Sequence, residues 1–570
     1  MRQASPVRWL ALVLLLATAC TAPAPSPASP AGQPVPPTQA APASGNITLA
    51  ILREPTGFID FNQGAKPGGA NNAAQIVHQS LVVVDEAGRY VPQLAAELTS
   101  VDRGTWRINS DGSMDTTWKL RPNVKWHDGT PFTSADLLFA FTVKKDPDIA
   151  WSSLGRPDLM ESATAPDPLT LVIHWSTPYF DADRGQDLVP LPQHLVGDLY
   201  ASDKASLQFS PRFSTTFVGL GPYRLERWEA GAFMQFSRFD DYFQGTPPFN
   251  SVTLKFLGDP NTMVANVLSG AVDVLLPLGL DVEAAQELER RWAGTGNQVR
   301  YNIQDTLWYV QVQFRPDYAR PTNGLTDRSV RAALYQATDR QALVDVATSR
   351  AAPIADSWFN PRDAIRPDVD SAIPQFPYDL ARAQQLLRDA GWTRGADGTL
   401  VNGQTRDHFE IELRGNQAGG IEKRLNVVAD GWKAVGADVQ LNVVPTARAS
   451  DAEYASTFPG GFVFFSQGRL FWQNRLHSSS IAAPANRWTG RNRGGYRNPR
   501  VDTLLDQIVV TIDPRLRVPL QRQLLQEQLG DVALMPLYWE VTPVVTVQGI
   551  TGPIGGQDDV ISNFFGWRRA

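Results

Sequence analysis

Cysteine is almost absent: the 570 residues contain one, Cys20. A single thiol excludes a disulfide within the chain, a zinc–thiolate site and a cysteine-held iron–sulfur cluster. Histidine is scarce as well. The six are His78, His127, His174, His194, His408 and His477, and none lies at HExxH or H-x-H spacing, so no preformed metal site is expected. A basic excess is missing: 52 Lys and Arg against 58 Asp and Glu leave a net charge of −6, where a nucleic-acid binder would be basic. There is no GxSxG elbow, no GxGxxG and no Walker pattern, so no catalytic residue and no cofactor is assigned. Beyond the N-terminus no apolar run approaches the ~18 residues needed to cross a bilayer.

What is present is a chain with large cores. Apolar residues make up 43%, and 16 tryptophans can fill core or grip a flat or apolar ligand. Arg2 and Arg8 precede a short apolar run at 9–17, the size of a secretory h-region. It ends Leu16-Ala-Thr-Ala-Cys20, which resembles a bacterial lipoprotein box and implies a 1–19 signal peptide with acylation of Cys20. The other reading is an ordinary signal peptide with an incidental cysteine. Residues 20–45 are dominated by Ala, Pro, Ser, Thr and Gln and cannot bury enough apolar surface to fold, so they read as a disordered tether.

Residues 118–141 are the most organised stretch. Trp118 and Leu120, then Val124 and Trp126, alternate with polar residues as in a half-buried strand. His127-Asp128-Gly129-Thr130 reads as a turn. Thr133 then caps a helix, with Asp136 placed for a capping box and Phe132 and Leu137 for a hydrophobic staple. Pro147 ends it.

This string, WKLRPNVKWHDGTPFTSADLLFAF, resembles the signature of the family 5 extracellular solute-binding proteins, receptors of oligopeptide- and nickel-type ABC importers. Further matching phrases follow in order. They are the glycine–tyrosine stretch around Gly219, Gly221 and Tyr223, the segment from Asp327 to Arg340, the helix from Asp379 to Trp392, and the segment from Gly494 to Asp502. The likeness covers about 47–570. It implies an α/β fold of two lobes with mixed sheets, a hinge between them and an extra segment inserted in the first lobe. Mapped here, lobe 1 is 46–84, 216–305 and 536–570, the insert is 85–215, and lobe 2 is 306–535.

Element readings from the pattern alone agree with such a fold. Strands are expected at 46–52, 169–175, 252–256, 271–274, 307–314 and 439–443, and a hairpin over 223–238. Helices are expected near 73–80, 190–200, 260–270, 327–340, 379–391 and 421–436. Gly219 and Gly221 read as tight-turn glycines. His127–Asp128 reads as a scaffold turn rather than a metal or acid–base pair. Asp181, Asp183, Asp240 and Asp241 read as surface acids.

Residues 462–472 are the expected ligand-contact stretch, since in peptide-binding relatives the equivalent segment follows a strand along the ligand. The family resemblance implies an aspartate there for the peptide's α-ammonium. No acid occurs between Tyr454 and Asp502, which argues against a free-amine peptide. Arg469 would suit a carboxylate or another anion. The arginine run at 487, 491, 493, 497 and 500 reads as a polar loop at the cleft rim. Expected ligand residues are Phe61, Tyr309, Trp358, Phe465, Ser466, Gln467, Gly468, Arg469, Trp472, Trp488 and Tyr496. The resemblance implies a monomeric receptor, lipid-anchored outside the cytoplasm, that passes a peptide, sugar or chelate to an ABC permease. Two other readings are a surface hydrolase on the same scaffold and a solute sensor or scavenger without transport.

Overall fold

The computed structural model describes residues 45–59, 61, 71–85, 88–149, 151, 156–185, 188–467, 475–552 and 561–570. Cys20, the leader and all but the last residue of the tether lie outside the described residues. So do Gly468, Arg469 and Trp472, and the side chain of Gln467.

A ten-stranded mixed sheet runs through the molecule. Its order is Asp438–Val444, Glu410–Asn416, Gly461–Gln467, Gln298–Val312, Leu534–Thr546, Val274–Leu275, Asn46–Ile51, Ser251–Phe256, Phe233–Arg238 and Tyr223–Glu229. The outer three strands on one side pair in parallel, as do Asn46–Ile51 and its two neighbours. Gln298–Val312 and Leu534–Thr546 are the two long strands, antiparallel to each other, and they carry the sheet from one half to the other. The expected βαβ unit is there: Ser251–Phe256, then Pro260–Leu268 capped by Asp259, then Val274–Leu275, with both strands parallel to Asn46–Ile51.

Both faces of the central strands are covered. Trp308, Val310 and Val312 point into one core with Leu334, Leu413, Trp432 and Leu537. Leu307 and Tyr309 point the other way, into a core with Trp358, Leu505, Leu525 and Trp539. A strand buried on both faces reads as a continuous apolar run rather than an alternating one. Another core gathers Ile47, Leu49, Phe236, Leu254 and Trp567. The inserted region has its own four-stranded sheet, ordered Trp106–Ile108, Met114–Lys119, Thr170–Trp175 and Met160–Asp167, over a core of Trp118, Trp126, Leu137 and Trp175.

The helix Ser134–Lys145 begins as its sequence dictates. Asp136 accepts the Thr133 N–H at 3.0 Å, and Thr133 Oγ1 accepts the Ala135 N–H at 3.3 Å. The turn before it is held by Thr130 N–H donating to Asp128 at 3.0 Å, with Gly129 at φ +90°.

Four expectations need correction. Residues 124–126 are not a second strand. They are one side of a tight loop closed by the isolated bridge Lys125–Pro131 and the Trp126 N–H to Thr130 O bond. The strand expected at 307–314 starts at Gln298 and ends at Val312, because its first half carries polar residues that hide it. The helix expected at 327–340 is two, Arg328–Gln336 and Arg340–Thr348, because Asp339 turns out of the helix to accept the Ala342 N–H. Gly219 and Gly221 do not sit at positive φ. They are needed because a Cβ at Gly219 would fall 1.9 Å from Val77 O, and one at Gly221 2.4 Å from the Val77 carbonyl carbon.

Candidate ligand cleft at the strand junction

The two long strands change register between Ile303 and Leu307. An irregularity of this kind bends the strand and frees backbone groups from the ladder. The residues there are polar yet buried: Asn302, Gln304, Asp305 and Thr306. Gln304 donates to Thr542 Oγ1 at 2.8 Å, and Asn360 donates to Gln304 O at 3.0 Å. Polar side chains that replace ladder bonds let a strand pair flex without orphaning its backbone.

Gly461–Gln467 ends at this junction, with Gln467 paired to Thr306. Its consecutive phenylalanines stack with ring centroids 5.7 Å apart but meet different neighbours. Phe464 meets Tyr309 edge-on, with ring centroids 6.3 Å apart, and Phe465 lies over Trp308 at 5.0 Å. Phe465 is 41% exposed, an open aromatic face beside the junction. Trp308 also donates to Glu540 at 2.5 Å and carries the Arg424 guanidinium 4.3 Å above its ring. Burial raises the Glu540 carboxyl, and Arg424 opposes that shift. Trp308, Arg424 and Glu540 gave no sequence signal, because nothing local marks residues more than 100 positions apart as neighbours.

The expected ligand residues do not share one surface. Phe61 is core, 4.8 Å from Trp151 and 5.0 Å from Phe213. Tyr309 and Trp358 are buried in the core beneath the junction. Tyr496 is buried too, with its hydroxyl donating to Asp531 at 2.7 Å. Ser466 is buried and accepts from Arg475 Nε at 3.0 Å. Trp488 is partly exposed, 5.8 Å from the Arg315 guanidinium. Phe465 and Ser466 are therefore adjacent at the end of one strand, while Phe61 lies in a different core.

Past that strand the chain folds back as an arginine-bearing loop. Arg315 fastens it, donating to Ala482 O at 2.8 Å and Arg493 O at 2.7 Å. Asn492 is fully buried and bonds both backbone polar groups of Tyr496, at 2.9 and 3.1 Å. Arg491 and Arg493 flank it. Arg475 and Arg493 both lie against the Phe464 ring, at 5.4 and 5.3 Å. Burial, and then the charge of Arg475, lowers the pKa of Arg493 and of Arg491.

The sequence motifs elsewhere are structural. His127 Nε2 lies 3.0 Å from Gly221 O, and its Nδ1 accepts the Gly219 N–H at 3.2 Å. That pattern fixes a neutral ring with the proton on Nε2, and burial lowers its pKa to about 4. Asp240 and Asp241 pair with Arg238 and Lys125. Asp181 pairs with Arg184. Among the described residues no group of three or more His, Cys, Asp or Glu could hold a metal, and no helix is long and apolar enough to cross a membrane. A separate cavity of about 260 Å³, lined by Tyr90, Phe180, Asp183, Ile365 and Arg517, shares none of the expected ligand residues.

The whole-chain comparisons agree with this architecture. The oligopeptide-binding protein AppA of Bacillus subtilis is 22% identical over 533 residues, covering 89% of this chain and 88% of that protein. Its structure in complex with a nonapeptide superposes with a TM-score of 0.69, at 21% identity over 92% of this chain and 99% of that one. NikA from Brucella suis in complex with Fe(III)-EDTA gives 0.73, at 18% identity over 92% and 100%. Residues 89–481 match the model of the bacterial extracellular solute-binding proteins, family 5 (Middle), and the chain belongs to that family.

Proposed function

We propose that this protein is the substrate-binding receptor of an ABC importer. It captures one small solute between two lobes and presents the closed form to a membrane permease. The observation that carries this reading is the junction of the two long strands. Their register shift, with buried polar side chains on both sides, supplies a flexible crossing beside an open aromatic face at Phe465. The lobes are taken as 46–84 with 216–305 and 536–570, and 306–535, with 85–215 inserted in the first. Family membership supports solute binding, and AppA and NikA, which take a nonapeptide and a metal chelate, support a cleft of variable content. Family membership supports the receptor reading over a hydrolase on the same scaffold.

Closure requires contacts that exist only in the closed form, because a ligand with equal affinity for both states shifts nothing. The leader pattern supports a lipid anchor at Cys20, with residues 20–45 as a spacer, and monomeric action outside the cytoplasm. The test is a thermal-shift screen of the mature protein against peptides, oligosaccharides and metal chelates. One solute class is expected to raise the unfolding midpoint saturably, by RT ln(1 + [L]/Kd) in free energy. Turnover of a chromogenic ester, peptide or glycoside that vanishes on mutating one acid or histidine would favour the hydrolase instead.

A further inference from the structure

Asp183 reads as a surface acid in the sequence, yet it lines the cavity of about 260 Å³ that lies apart from the strand junction. One wall of this cavity comes from the segment taken as the insert, through Tyr90, Phe180 and Asp183. The other comes from the segment taken as the second lobe, through Phe359, Ile365, Arg517 and Gln521. The two walls touch. The Phe180 N–H donates to Val509 O at 2.9 Å, and the Arg517 guanidinium lies 4.6 Å from the Phe180 ring. Pockets for drug-sized ligands start at about 300 Å³, so this one suits a smaller molecule, of amino-acid size.

Three polar side chains of the lining have bonding capacity to spare. Among the described residues Asp183 makes no ion pair and no hydrogen bond to another side chain. Gln521 is 4% exposed, and its Oε1 has no hydrogen-bond partner. Arg517 has no carboxylate partner among the described residues. Its Nη1 donates to Thr511 O at 2.9 Å and Ile512 O at 2.7 Å, which leaves Nε and Nη2 uncommitted. The other charged groups of the lining are engaged. Asp181 pairs with Arg184 at 3.0 Å, Arg89 pairs with Asp85 at 2.7 Å, and Asp363 accepts the Asn360 N–H at 2.9 Å.

Burial, and then the charge of Asp181, raises the Asp183 carboxyl to about 7, against the charges of Arg517 and Arg184. Burial lowers the pKa of Arg517, against Asp181 and Asp183. Each charge is therefore held at a cost that a ligand charge of opposite sign offsets. A carboxylate and a guanidinium that share a cavity without pairing suit a ligand that carries both charges close together. The zwitterion of a free α-amino acid does so. Its ammonium donates to Asp183 and to the Gln521 oxygen, and its carboxylate accepts from Nε and Nη2 of Arg517. Phe180, Phe359 and Ile365 leave an apolar wall for its side chain.

We propose that this cavity is a second small-molecule site, separate from the solute cleft, that takes a free apolar α-amino acid between the insert and the second lobe. Its occupant touches both walls and so holds them together. The site does not depend on solute capture at the strand junction.

The test is isothermal titration of the mature protein with L-leucine, 3-methylbutylamine, which lacks the carboxylate, and 4-methylpentanoate, which lacks the ammonium. Leucine is expected to bind saturably, and each analogue about 10-fold or more weaker. Asp183→Asn and Arg517→Gln are each expected to lose about 10-fold for leucine. Unfolding midpoints without leucine show that the variants fold. Arg517 also holds two backbone carbonyls, so Asp183→Asn, which breaks no side-chain bond, tests the site even if Arg517→Gln is unstable. No saturable leucine binding, equal binding of leucine and either analogue, or unchanged leucine affinity in the folded variants overturns the site. None of these results touches the receptor reading, which the screen of peptides, oligosaccharides and chelates tests on its own.

Discussion

His127 shows how one residue can look catalytic and act as scaffold. It stands beside Asp128 and between tryptophans in sequence, yet both ring nitrogens are spent on the backbone of Gly219 and Gly221. Asp128 turns away to His194, at 2.8 Å. His78 is a second buried histidine, lowered to about 3 chiefly by burial and then by the charge of His127. Both are neutral in the fold and protonate near 6.5 when unfolded. The unfolded chain thus binds more protons below pH 6.5, and their contribution to stability is lost as the pH falls toward 4. His127 alone contributes a loss on the order of 3 kcal/mol by pH 4. The unfolding midpoint is expected to drop over this window, with a shallower drop in His127→Gln. His127→Ala is expected to lower stability at neutral pH and leave solute affinity unchanged, measured by titration of the folded variant. The same residue scale explains Gly219. Alanine there drives a Cβ into the Val77 carbonyl, and a loss of about 2–3 kcal/mol in denaturant unfolding is expected.

At the scale of elements, legibility followed how local the determinants are. The start of the helix Ser134–Lys145 was readable to the residue because its cap and capping-box acid lie within four positions of one another. Thr133→Ala is expected to cost about 1 kcal/mol in chemical denaturation, with no change in solute affinity. The hairpin Tyr223–Glu229 and Phe233–Arg238 was equally plain. The first half of Gln298–Val312 was not, because Asn302, Gln304, Asp305 and Thr306 look like a loop until their partners across the sheet are known. The break at Asp339 was hidden for a related reason. Val330, Leu334 and Ala337 keep helical spacing up to the point where a carboxylate competes for the backbone. The site was the least legible element. Aromatic content drew attention to Tyr309 and Trp358, which are core. Of the arginines read as a rim loop, Arg493 lies against Phe464 together with Arg475, which was not part of that run.

For the whole molecule, the two long antiparallel strands lie side by side near the middle of the ten-stranded sheet. A ligand held at their junction couples to any motion there, because the register shift at Ile303–Leu307 adjoins the pairing of Thr306 with Gln467. Protection of the backbone amides around 303–307 and 539–541 against hydrogen exchange is expected to increase on solute binding, while that of Thr170–Trp175 in the inserted sheet stays constant. A receptor of this kind must capture one small solute per chain. Native mass spectrometry of the mature protein, incubated in turn with carboxylated peptides, metal chelates and oligosaccharides, measures this most directly. A single adduct of 1:1 stoichiometry, saturable and confined to one chemical class, is the predicted result. The unliganded mass alone, across the whole set, would contradict it.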